Sequence, residues 1–176
     1  DNARSLGIHV DLLVGDLDSA SPGAANQASA VERHPVDKDE TDLELALAAA
    51  LNAGMGSVTV VGTISGRVDH ALGNLLVVAA DRWADLRIHL RIDSTRAWVV
   101  RDRVEVRGTV DDLVSLLAVG GQATGVTTTG LAWPLSDGVL EPGLGLGLSN
   151  RMADPMATGE VDSGVVVVLM PAARGL

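Results

Sequence analysis

The sequence predicts an α/β N-terminal domain with a mostly parallel sheet, followed by an all-β sandwich C-terminal domain. Three observations lead there. Up to about residue 92, short apolar runs alternate with helical patterns, the signature of strands covered by crossover helices. Beyond residue 94, only short β-prone runs remain, separated by Gly, Pro and Asp. The chain of 176 residues is 47% hydrophobic, enough for a sizeable core, yet holds three Trp, no Phe and no Tyr. Its core must therefore be built from Leu, Val and Ala.

The elements follow in order. Residues 2–6 read as a short helix, 11–15 (DLLVG) as a strand, and the Ala-rich stretch 24–30 as helical. Residues 41–53 form an amphipathic helix, with Leu43, Leu47, Ala50 and Leu51 on one face. Residues 57–62 (SVTVVG) are a buried-type strand, 68–83 a second long helix, and 86–92 a further strand. Strands are then expected at 97–100, 104–107, 113–119, 124–129, 143–148 and 165–170. At 143–148, Gly143, Gly145 and Gly147 alternate with Leu144, Leu146 and Leu148, so leucines would line one face and glycines the other. The boundary is placed at 94/95, which makes 1–94 one domain and 95–176 the other.

Composition removes several classes of function. The net charge of −10 disfavours nucleic acid and anionic membranes, although a metal ion reverses that sign locally. No cysteine is present, which excludes disulfides, zinc–thiolate sites and thiol catalysis and agrees with a cytoplasmic protein. No stretch reaches the roughly 18 apolar residues of a membrane span. The thirteen basic residues are twelve Arg and a lone Lys38.

Three acidic motifs carry the chemistry. Gly15-Asp16-Leu17-Asp18-Ser19 follows a strand, where open α/β sheets bind ligands, and two aspartates in one turn can face one cation. The same residues also suit a plain turn or helix cap. Asp37-Lys38-Asp39-Glu40-Thr41-Asp42 opens the first long helix. Thr41 and Glu44 have capping-box spacing, yet four carboxylates within six residues, set around the sole Lys, exceed what a cap requires. Gly66-Arg67-Val68-Asp69-His70-Ala71-Leu72-Gly73-Asn74 follows the SVTVVG strand. There His70 and Asn74 share a helix face, and Arg67 stands where a phosphate would meet a helix start. Together these residues supply carboxylates for a metal, and Lys and Arg for phosphates, as phosphoryl-type transfer requires.

Motifs GDLDS, DKDETD and GRVDHALGN, in this order and spacing, resemble those of thiamine pyrophosphokinases. VTTTGLAWPL (126–135) and GLGLSN (145–150) resemble the same family's C-terminal domain. The resemblance implies a homodimeric enzyme that transfers a diphosphoryl group from ATP to the hydroxyl of thiamine and releases AMP, with Mg2+ as cofactor. It implies that Asp16, Asp18 and Asp42 are catalytic and metal-site carboxylates, with Arg67 and Asp69 also catalytic. Lys38, Asp39, Thr41, Arg67 and His70 would line the nucleotide. Trp133 would stack on thiamine, with Ser149 and Asn150 beside it, supplied across the dimer interface. Two departures stand out: Leu17 where Phe is common, and Ser65 where Gly is usual. The family also begins with a strand and a glycine-bearing acidic loop, so about 20–30 residues are expected before Asp1.

Read without the family, Trp133 is a core or interface aromatic, or an indole face for a cationic ring. Two other functions stay open: the same transfer to another alcohol such as a pterin, and a thiamine- or nucleotide-binding module without turnover.

Overall fold

The computed structural model describes residues 2–18, 20–63 and 67–172. By its internal contacts the chain divides into two units, Asp1–Met55 and Gly56–Leu176. The expected 94/95 boundary lies in the turn of a β-hairpin within the second of these.

The first unit starts with α1 (Asn2–Ser5) and β1 (Val10–Gly15). A 3-10 turn over Ala24–Gln27 leads to β2 (Ala28–Arg33), which pairs parallel with β1 from Val10↔Ala28 to Gly15↔Arg33. The helix expected over 24–30 is thus a turn and a strand. Ala is the best helix former, but propensity is a weak prior that tertiary pairing overrides: Gly23, left-handed at φ +88°, caps a 3-10 turn, and parallel pairing with β1 claims residues 28–33. Helix α2 (Asp42–Asn52) packs against β1 and buries Leu47. Its start follows the sequence closely. Thr41 is the N-cap, its hydroxyl accepting from the Glu44 N–H, while the Glu44 carboxylate accepts from the Thr41 N–H at 2.8 Å.

The second unit opens with β3 (Ser57–Gly62), α3 (Val68–Val78), a 3-10 turn (Asp81–Trp83) and β4 (Arg87–Ile92). The helix expected over 68–83 therefore stops at Val78, five residues early. Strands β5 (Thr95–Val100), β6 (Arg103–Arg107), β7 (Leu113–Ala118), β8 (Ala123–Thr129), β9 (Gly138–Leu140), β10 (Asn150–Arg151), β11 (Met156–Glu160) and β12 (Val166–Met170) follow. They form a six-stranded sheet, β10-β7-β12-β5-β4-β3, and a four-stranded one, β6-β11-β8-β9.

The six-stranded sheet is mixed, which corrects the expectation of a mostly parallel one. Only β3 and β4 pair parallel; β4–β5, β5–β12, β12–β7 and β7–β10 are antiparallel. Helix α3 makes the β3–β4 crossover, but the turn at Asp93 (φ +50°) returns the chain directly as a hairpin, so no second crossover follows. Both sheets of this unit feed one apolar cluster: Val100, Val114, Leu116, Val166 and Val168 from the larger, Val106, Val126 and Ala157 from the smaller. Full burial of each Val or Leu contributes about 1.5–3 kcal/mol, so a core with so few aromatic rings still closes.

The strand expected over 143–148 is absent. The Leu144 N–H reaches the Glu141 carbonyl, and the Leu148 N–H that of Gly145, making successive turns in which Leu144, Leu146 and Leu148 stay exposed. Gly143 at φ +84° is the physical reason, since it turns the chain out of extended geometry. Gly147 is approached closely by the backbone of β7. Its carbonyl accepts from the Leu116 N–H at 2.8 Å, and a Cβ there would lie 2.2 Å from the Leu116 carbonyl oxygen.

Candidate active site

Strand β1 ends at Gly15, whose φ of +140° suits glycine and turns the chain. Asp16 follows, then Leu17 at φ +63°, so the next residue doubles back. The Asp18 N–H donates to Asp16 Oδ1 at 3.1 Å, an Asx-type turn that fixes the Asp16 carboxylate. Its other oxygen, Oδ2, accepts from Lys38 Nζ at 2.6 Å. Both side chains are largely covered, Lys38 to 10% exposure and Asp16 to 13%.

The lysine also pairs with Asp42 Oδ1 at 3.1 Å. Asp42 is the first residue of α2, where the helix N-terminus favours a carboxylate. Its carboxylate leans over Gly15: a Cβ on Gly15 would stand 3.0 Å from Asp42 Oδ1. Glycine is required there for space as well as for φ. The Lys38 hydrogen bond, then the Asp18 N–H, hold the Asp16 carboxyl below its usual range. In return Asp16 first, then Asp42, hold the Lys38 ammonium above its own.

Of the residues expected on this side, the structure brings Asp16, Lys38 and Asp42 together. Asp18 joins through its backbone N–H and is exposed, as is Asp39. Thr41 is engaged in the cap, its hydroxyl 2.9 Å from the Glu44 carboxylate. Ser19 lies outside the described residues. Among the described residues, no group of three His, Cys, Asp or Glu side chains gathers as a metal cluster. The donors still suit a hard cation. Two carboxylates already converge on one positive atom, and magnesium needs only one or two, completing its shell with waters and phosphate oxygens.

In the second unit, Arg67 precedes α3 and grips Asp69 with both forks, Nε to Oδ1 at 2.9 Å and Nη2 to Oδ2 at 2.7 Å. The pair is about two-thirds exposed. The guanidinium holds the Asp69 carboxyl well below the usual range, and Asp69 raises Arg67. His70 follows in the first turn of α3, exposed. Ser65 and Gly66 lie outside the described residues.

Trp133 is 62% exposed, whereas Asn150 is 6% exposed. Asn150 Oδ1 accepts from the Trp133 N–H at 3.1 Å and the Arg151 N–H at 2.8 Å, while Nδ2 donates to the Trp133 carbonyl at 2.7 Å. Ser149 adopts φ +58°, and its N–H donates to Ser115 Oγ at 3.1 Å. Sequence reasoning missed Ser115, Gly15 and the Asn150–Trp133 link. Only Gly15, at a strand end before an acidic turn, carried a local signal.

The chain matches the family model for the thiamin pyrophosphokinase catalytic domain over residues 2–90, and that for the thiamin pyrophosphokinase vitamin B1 binding domain over 103–166. It belongs to the thiamine pyrophosphokinase family. It is 25% identical over 171 residues to thiamine pyrophosphokinase 1 of Oryza sativa subsp. japonica, covering 89% of this chain and 64% of that protein. It is 26% identical over 162 residues to thiamine pyrophosphokinase of Bacillus subtilis (strain 168), covering 88% and 75%. The chain thus spans just under two thirds of the rice relative. The crystal structure of the Bacillus subtilis thiamine pyrophosphokinase shares the fold, with a TM-score of 0.81 at 23% identity, covering 97% of this chain and 82% of that one. A thiamin pyrophosphokinase family protein from Enterococcus faecalis does so at 0.82 and 19%, covering 98% and 84%.

Proposed function

We propose that the protein transfers a diphosphoryl group from ATP to the hydroxyl of thiamine. The thiamine oxygen bonds to the β-phosphorus, the bond between that phosphorus and the oxygen bridging to the α-phosphorus breaks, and AMP leaves with the bridging oxygen while the hydroxyl gives up its proton. The observation that carries this reading is the tandem match, in order, to a catalytic and a vitamin B1 binding family model. On this reading residues 1–94 are the catalytic domain, and 95–176 a thiamine-binding and dimerisation sandwich. The protein works in the cytoplasm, where ATP is supplied; among the described residues no helix is long and apolar enough to cross a membrane.

The site roles follow from the residues. Asp16 and Asp42, with Asp18 beside them, would hold Mg2+, which when bound neutralises charge on the transferring phosphates. Lys38, held between two carboxylates, is the cation that can turn from them to a phosphate oxygen. Asp39, Thr41, Arg67 and His70 serve the nucleotide, and Asp69 orients the Arg67 fork. Trp133 offers an exposed indole to the cationic thiazolium, worth roughly 0.5–2 kcal/mol, and Ser149 and Asn150 belong to the same end. The active form is a homodimer whose thiamine-side residues complete the partner's site.

The test is a panel of ATP with thiamine, with a pterin alcohol and with no acceptor, read by AMP release. Thiamine-dependent AMP release, abolished by chelator and cut about 100-fold or more in Asp16→Asn and Asp18→Asn proteins of unchanged melting temperature, is expected. Release with the pterin alone would move the acceptor, and release with neither would leave a binding module.

A further inference from the structure

We propose that Asn150 is a positioning residue: its side-chain amide clamps the backbone of Trp133 on both sides, and acts on thiamine through the indole without touching it. The inference rests on the reading of Trp133 as the thiamine-stacking surface.

The amide's hydrogen-bonding capacity is nearly used up. A carboxamide has two acceptor lone pairs and two N–H donors. In Asn150 both lone pairs are taken, by the N–H groups of Trp133 and Arg151, and one donor goes to the Trp133 carbonyl. A single N–H remains, on a residue that is 6% exposed. The pattern copies a strand pairing. Leu131 bridges Met152, and the Ala132 N–H reaches the Arg151 carbonyl at 2.9 Å. The Asn150 amide then adds one more rung by meeting both backbone groups of Trp133.

Trp133 needs that rung. Its side chain is largely in solvent, so packing does little to aim it, and the peptide that carries it must be aimed instead. Ser149 sets the approach: its left-handed backbone and its N–H bond to Ser115 turn β10 so that the next side chain points inward.

A double-mutant cycle decides the matter. Thiamine affinity is measured by titration calorimetry for wild type, Asn150→Ser, Trp133→Ala and the double variant, each with its melting temperature. Asn150→Ser is expected to weaken thiamine several-fold in the wild-type background and to change nothing further in the Trp133→Ala background. Effects that multiply would mean that Asn150 touches the ligand, and would overturn the proposal. So would unchanged affinity in folded Asn150→Ser. Asn150→Asp repeats the comparison if Ser unfolds the protein, since it keeps the shape and sets an oxygen against the Trp133 carbonyl. With 5-fluorotryptophan incorporated, Asn150→Asp should move the fluorine resonance of Trp133 while those of Trp83 and Trp98 stay in place; an unmoved Trp133 resonance overturns the clamp. If Trp133→Ala leaves thiamine affinity unchanged, or if wild type binds no thiamine, the reading beneath the inference falls, and the fluorine shift alone then judges the clamp.

Discussion

Lys38 Nζ lies 2.6 Å from Asp16 Oδ2 and spans to Asp42, so the chain's lone lysine occupies the point on which its two best-placed carboxylates converge. On the proposed metal role of Asp16 and Asp42, a divalent cation and this ammonium would compete for one location. Lys38→Met should therefore tighten Mn2+ binding by nucleotide-free protein several-fold, read by electron paramagnetic resonance. The same variant should raise the Michaelis constant for ATP several-fold to tens-fold and change that for thiamine far less, because it removes the proposed phosphate contact. Weaker Mn2+ binding in the variant would show that Lys38 assists the metal site and does not rival it.

The same pair sets a pH window. Asp16 titrates below its ordinary value of 3.8, so its contribution is present above that value and is lost as pH falls through its lowered pKa. Lys38 titrates above its ordinary 10.5, so its contribution is full below that value and is lost as pH rises through its raised pKa. Urea unfolding should show the link intact across neutral pH and failing at both extremes. Asp16→Asn should flatten the acid limb and Lys38→Met the alkaline limb. Acid and alkaline limbs identical to wild type in both variants would count against the link.

Gly15→Ala should be harmful out of proportion to its size. The new methyl meets the Asp42 carboxylate at 3.0–3.2 Å, on a backbone at φ +140° that Ala resists. A loss of about 1–3 kcal/mol in stability is expected, together with weaker Mg2+ dependence as Asp42 is displaced. A chevron or melting comparison with magnesium-titrated activity checks both. Normal metal dependence in the variant would show that Asp42 can move without consequence.

The proposed homodimer with shared sites makes a prediction for mixed dimers. Asp18→Asn and Trp133→Ala subunits, each impaired alone, should regain up to about one wild-type site's worth of activity per heterodimer, about half that of a wild-type dimer, after subunit exchange. Absence of recovery after exchange has been verified by mass spectrometry would place each complete site within one subunit.

The sequence showed most where information is local. The capping box of Thr41 and Glu44, the β1 and β3 strands and the first two acidic motifs are short-range patterns, and they appear where expected. The stretch 24–30 misled because alanine's helix preference, though the strongest of any residue, is outweighed by pairing with a distant strand. The parallel sheet misled because one hairpin turn at Asp93 redirects everything after β4, and a turn of that kind leaves little trace in composition. Asn150 illustrates the remaining gap. The family resemblance places it, with Ser149, beside the thiamine, while the pairing that occupies its amide spans seventeen positions and exists only once β10 is in place.

Strand β12 has a consequence for how the molecule is made. It lies between β7 and β5, so until residues 166–170 leave the ribosome the larger sheet is two fragments, each with a raw edge. The β5-β4-β3 piece and the β10-β7 piece must wait for a wedge synthesised after both, at elongation speeds of about 5–20 residues per second. Nascent chains stalled before Val166 are then the form most exposed to strand-edge aggregation and most dependent on chaperones. Removing this five-residue wedge should harm folding yield far more than removing a comparable length from the edge strand β3.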